Sequence, residues 1–117
     1  MNENNFRSRN PKITETKISN EQIAKEKFEK GVSFYEELNY KNSFDSFMEA
    51  ANLNHLEAQY NIGCFYEFGV GVEKSFKNAV HWYTIASTNG YQKADKRIKI
   101  VVDKMNSKLY MLGFGGN

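Results

Sequence analysis

Several residues of this chain are of types that do chemistry. Gly69-Val70-Gly71-Val72 places two glycines two apart, as in loops whose backbone N–H groups close on a phosphate. Cys64 is the single thiol, His55 and His81 are the only imidazoles, and Glu36-Glu37 are adjacent carboxylates. None of these assembles into a reaction centre. A G-x-G-x-x-G loop needs glycine where Lys74 stands, and a strand before it, whereas the residues ahead of Gly69 read as helix. The G-x-x-x-x-G-K-[ST] spacing is absent. Cys64 follows Gly63 on a helix and reads as a small packing residue. One cysteine makes neither an internal disulfide nor a multi-cysteine metal site. His55 falls at a turn and His81 on an outer helix face. Neighbouring Glu36 and Glu37 point away from each other on a helix and do not share a proton. The expectation is a non-enzyme with no cofactor and no metal.

What the glycines do depends on the elements around them. Aromatic residues make up 15% of the 117, with a single proline. The apolar positions show no strict alternation, so the elements are expected to be helices in one domain. No apolar stretch is long enough to span a membrane. The first residues lack the apolar run of a secretory signal, and no N-x-S/T acceptor occurs. The chain therefore reads as cytoplasmic. Residues 1–20 carry +2, residues 21–91 carry −4 and residues 92–117 carry +4. The basic charge sits on the last helix and does not form one basic face, so no nucleic-acid partner and no membrane is expected.

Residues 1–20 are polar and asparagine-rich and are read as a disordered tail. Ser19 or Asn20 caps a helix starting near Glu21, with Phe28, Gly31, Val32, Phe34, Tyr35 and Leu38 on one face. Asn39–Ser43 breaks it, and Phe44, Phe47, Met48 and Ala51 mark a second helix. A third runs from about Leu56 to Glu67. Ser75 caps a fourth, carrying Phe76, Ala79, Val80, Tyr83 and Ala86, and Asn89-Gly90 stops it. The fifth, roughly 92–112, has an apolar stripe at Ala94, Ile98, Val101, Met105, Leu109 and Leu112. Its opposite face shows Lys93, Arg97, Lys104 and Lys108.

The chain also repeats itself. At a shift of 36, Lys77-Asn78, Tyr83, Ala86 and Ala94 fall on Lys41-Asn42, Phe47, Ala50 and Ala58. At a shift of 32, Gly63, Tyr66 and Tyr60 fall on Gly31, Phe34 and Phe28. The difference of four is the insertion Gly69–Val72. A mid-helix glycine costs about 1 kcal/mol against alanine, a cost that a close approach explains. Two helical hairpins with loops of different length are therefore expected.

The stretch "EAQYNIGCFYEFGVGVEKSFKNAVHWYTIASTNGYQKA" resembles a Sel1-like repeat, a member of the tetratricopeptide-like helical repeats. The family pattern, A-x-x-x-L-G-x-x-Y-x-x-G-x-G-V followed by K-A-x-x-W-Y-x-x-A-A and G-x-x-x-A, is met at Ala58, Ile62, Gly63, Tyr66, Gly69, Gly71, Val72, Ala79, Trp82, Tyr83, Ala86, Gly90 and Ala94. Residues 24–57 resemble a shortened unit that departs further, with Lys30 in place of Leu, Ser43 in place of Ala and no GxGV. The resemblance implies an all-α, right-handed α-α superhelix: a first repeat over about 24–57, a second over about 58–93 and a capping helix over about 92–112, together a domain over 21–113.

The resemblance also implies a protein–protein interaction module, an adaptor or scaffold that binds a partner protein or peptide on its concave face. By analogy with tetratricopeptide stacks, that groove takes Lys25, Phe28, Val32 and Tyr35 from the first hairpin, Glu57, Tyr60, Asn61, Cys64 and Glu67 from the second, and Lys93, Lys96, Arg97 and Ile100 from the last helix. A carboxylate clamp of the kind some such stacks use would take Asn61, Lys93 and Arg97, but Phe28 and Val32 interrupt it. Self-association, acidic first face on basic last helix, is a further expectation. The alternative function is a regulatory fragment or truncated paralogue of a larger signalling protein, such as a kinase with Sel1-like repeats.

Overall fold

The structure is a computed structural model that describes residues 18–113, so most of the tail reading (1–17) and the expected fraying of Phe114–Asn117 lie outside the described residues. Within them the protein is all-helical: α1 (Asn20–Glu36), α2 (Tyr40–Asn52), α3 (Leu56–Phe68), α4 (Phe76–Thr88) and α5 (Lys93–Met111). Four of these helices open with the same device. The side chains of Ser19, Asn39, His55 and Ser75 each accept a hydrogen bond from the backbone N–H three residues on, at 3.1, 3.3, 3.2 and 3.1 Å. Each cap satisfies one of the donors that a helix start leaves open. Because Asn39 is such a cap, the first break is shorter than the sequence suggested: Tyr40–Ser43 is already helical. The chain turns out of α1 through Leu38, which takes a left-handed φ of 62°. Asn54 (φ 69°) and Gly90 (φ 103°) occupy corresponding places, 36 residues apart, after α2 and α4. Asn89 itself keeps a negative φ of −86°.

Consecutive helices pack on one another, α1 on α2, α2 on α3, α3 on α4 and α4 on α5. In each hairpin an aromatic ring of the second helix lies on a glycine of the first: Phe47 on Gly31, Tyr83 on Gly63. Ser43, standing where the repeat has alanine, donates to the Gly31 carbonyl at 2.7 Å and so keeps its hydroxyl satisfied in the core.

Two apolar clusters follow. Phe47, Ala50, Ala51, Ala58, Ile62 and Phe65 join the first hairpin to α3. Ala79, Tyr83, Ala86, Ala94 and Val101 join the second hairpin to α5. Tyr66 packs against both, and Trp82 reaches from α4 to the first. Gln59 is 1% exposed and meets both demands of its amide: it donates to the Ala51 carbonyl at 3.2 Å and accepts from Asn89 at 3.3 Å.

The glycine-studded loop is part of this packing. Val70 and Val72 rest on the first cluster. Gly71, at φ 67°, lies so close to the Tyr40 carbonyl that a side chain would collide with it. The face of Gly71 is thus turned to a backbone acceptor of the neighbouring hairpin, the wrong polarity for a phosphate.

Candidate functional site: the groove between the first helices

α1 and α3, the first helices of the two hairpins, flank an open groove of about 490 Å³. Phe28, Val32, Tyr35, Phe47 and Phe65 give it an apolar floor and wall, and Glu36, Glu57, Asn61 and Cys64 supply its polar groups. Helical periodicity does the positioning: Phe28, Val32, Tyr35 and Glu36 lie three or four apart, as do Glu57, Asn61, Cys64 and Phe65. The floor is locked by ring contacts. Phe28 meets Phe47 at 5.3 Å and stacks on His55 at 4.4 Å, and Tyr35 meets Phe65 at 6.0 Å. Tyr35 remains 46% exposed at the mouth. His55 binds the Ala58 N–H through Nδ1, which requires the unprotonated nitrogen there, and burial pushes its pKa below 6.5 against the opposing pull of Glu57.

The residues expected to share one groove divide. Phe28, Val32, Tyr35, Glu57, Asn61 and Cys64 line the groove between α1 and α3. Tyr60, Lys93, Lys96, Arg97 and Ile100 line a separate depression of about 480 Å³ beside α5. Lys25 lines neither and faces Glu29 across one turn of α1, at 3.8 Å. Glu67 requires a correction. It is 1% exposed and buried between α3, α4 and α5, where it is held by three side chains. Tyr83 donates its hydroxyl to Oε1 at 2.8 Å, Arg97 donates to both carboxylate oxygens, and Lys104 donates to Oε2 at 2.6 Å. Burial alone would raise the pKa of this carboxyl, but the hydrogen bonds from Lys104, Tyr83 and Arg97 outweigh it and hold the group below its ordinary value. Arg97 and Lys104 are therefore partly exposed cations that share the charge of Glu67, and Arg97 is not free for a carboxylate clamp. The sequence reading also missed Glu36, which it dismissed with Glu37 although Glu36 stands one turn from Val32. It missed the capping role of His55 as well.

This cluster is not a nucleophile centre. Tyr83 donates to Cys64 Sγ at 3.2 Å, and burial pushes the thiol pKa up. Burial and the neighbouring Cys64 and Glu67 likewise push the Tyr83 phenol well above its ordinary value. Among the described residues no group of His, Cys, Asp or Glu side chains is arranged to hold a metal, and no helix is long and apolar enough to cross a membrane.

Residues 56–91, which take in α3, the glycine loop and α4, match the family model of the Sel1 repeat. A stretch of 65 residues is 28% identical to chitin synthase regulatory factor 2 of Schizosaccharomyces pombe, covering 56% of this chain and 13% of that relative.

Proposed function

We propose that this Sel1-repeat chain is a non-catalytic adaptor that holds a partner protein or peptide in the groove between α1 and α3. Sel1 repeats in general mediate protein–protein interaction, which supports the class of function. The observation that carries the reading is the groove itself: an apolar, aromatic floor with carboxylates and an amide at its edge. Such a surface buries one or two apolar side chains of a partner while Glu36 and Glu57 attract Lys or Arg beside them. The partner segment is accordingly apolar with basic flanks.

The test is affinity capture and mass spectrometry with the wild type and a Tyr35→Lys/Glu57→Lys variant of confirmed helical content. Both residues are exposed, and the ring of Tyr35 meets the core at Phe65, which is why helical content is confirmed first. Loss of a partner from the variant alone supports the groove; the same partners on both proteins reject it. A second reading, a regulatory module of a larger signalling protein, draws on the relative, which is named a regulatory factor and of which the aligned stretch spans 13%. An immunoblot of the endogenous protein separates the two by size.

A further inference from the structure

The last helix repeats the register of α3. At a shift of 36, Ala94, Ile98 and Val101 take the places of Ala58, Ile62 and Phe65, and Ile100 and Asp103 those of Cys64 and Glu67. On α3, Glu67 of this face is held by Arg97 and Lys104 of α5, while Cys64 packs against the second cluster and also borders the groove between α1 and α3. On α5 the same face is open among the described residues. Ile100 is 40% exposed, and Met111 and Leu112 further along are 85% and 59% exposed. Beside it runs a groove of about 670 Å³, lined by Phe76, Ile100, Lys104, Lys108, Met111 and Leu112 among others.

Charge around this groove is mostly of one sign. Lys104 and Lys108 border it, and Lys74 and Lys77 border the adjoining depression around Phe76. Asp103 lies in the groove wall, and Glu67 offsets only one of the charges on Arg97 and Lys104.

We propose that this end of the stack docks an amphipathic helix of a partner protein, with an apolar stripe and acidic flanks. A helix fits because the face is the repeat equivalent of one that already receives a helix. Acidic flanks complement the lysines. A second copy of the chain fits poorly. At the other end of the stack Glu26, Lys30 and Ser33 stand where α3 has Ala58, Ile62 and Phe65, and all three are exposed. Joining two copies through the same face would set lysines against lysines. A flat bilayer does not fill a groove.

The probe is a synthetic helix of about 18 residues, five turns, with leucine at i, i+3, i+4 and i+7 and glutamate on its flanks. Its control carries lysine for every glutamate. Both are titrated into the isotope-labelled full chain and followed by NMR. The expected result is binding of the glutamate helix with shifts concentrated at Phe76 and from Ile100 to Leu112. Affinity should fall about tenfold or more for the lysine control and for a Met111→Glu/Leu112→Glu variant of unchanged circular dichroism. The Tyr35→Lys/Glu57→Lys variant should bind as the wild type does, so this surface and the proposed groove succeed or fail separately. Four results overturn the proposal: no binding of the glutamate helix, equal binding of both helices, shifts confined to α1 and α3, or retention of affinity by the Met111→Glu/Leu112→Glu variant. Two others reassign the surface and overturn it equally: a dimer by sedimentation that this variant abolishes, or binding of phosphatidylserine vesicles in place of the peptide.

Discussion

The ring of Tyr83 lies directly on Gly63: a methyl group built on that glycine would stand 2.5 Å from Cδ1 of the ring. Gly31 and Phe47 repeat the arrangement at the same distance. Glycine is tolerated inside α1 and α3 because the aromatic ring of the partner helix takes the space of a side chain.

The first prediction follows from this contact. Glycine to alanine in a helix interior ordinarily stabilises by about 1 kcal/mol. Gly31→Ala and Gly63→Ala should instead destabilise, by about 1–3 kcal/mol, since both rings are buried and have no room to withdraw. Urea denaturation of the two variants checks this; a gain in stability for either would remove the packing argument.

Glu67 is the next point of sensitivity. Glu67→Ala should cost about 3 kcal/mol, because it strips a fully buried carboxylate from Tyr83, Arg97 and Lys104 together. Arg97→Ala should cost less, about 1 kcal/mol, since Arg97 is a quarter exposed and Lys104 remains on the carboxylate. Thermal melts of the two variants give the order, and equal losses would contradict it.

Acid should weaken the fold in two stages. The folded pKa of His55 lies below 6.5, so between the two values the unfolded chain binds more protons than the folded one. The contribution of His55 is whole above 6.5 and drains away as pH falls through that window. Glu67, depressed below 4.5, keeps its contribution above 4.5 and loses it only as pH falls through its lower folded value. Melting temperature followed from pH 7 downward should therefore show an early decline that His55→Asn flattens, because asparagine caps the helix without titrating.

Leu38 holds a left-handed φ of 62° while 70% exposed, so its side chain contributes little packing. The conformation costs a non-glycine residue about 1 kcal/mol. Leu38→Gly should relieve it and raise the melting temperature by a few degrees. A lower melting temperature would show that the Leu38 side chain supports the turn.

Much of this protein was legible along the chain because the signals are local. Two of the four cap residues, the stripes of α1 to α4 and the paired glycines each depend on residues within one or two turns, or on comparing one hairpin with the next; Asn39 was read as part of the break and His55 as a turn residue. Six of the nine residues that line the groove were readable for the same reason: Phe28, Val32 and Tyr35 share a stripe, and so do Glu57, Asn61 and Cys64. The partners of Glu67 were not readable. Arg97 and Lys104 lie 30 and 37 residues away and look like solvated charges on an outward helix face. Packing of α4 and α5 onto α3 removes water from Glu67, and a carboxylate without water must recruit every cation within reach. The glycine loop is the same kind of case. Its composition admits a bend, but Gly71 became a contact surface only when the first hairpin set the Tyr40 carbonyl against it. Spacing along a helix is a property of one segment, and desolvation is a property of the segments that close around it.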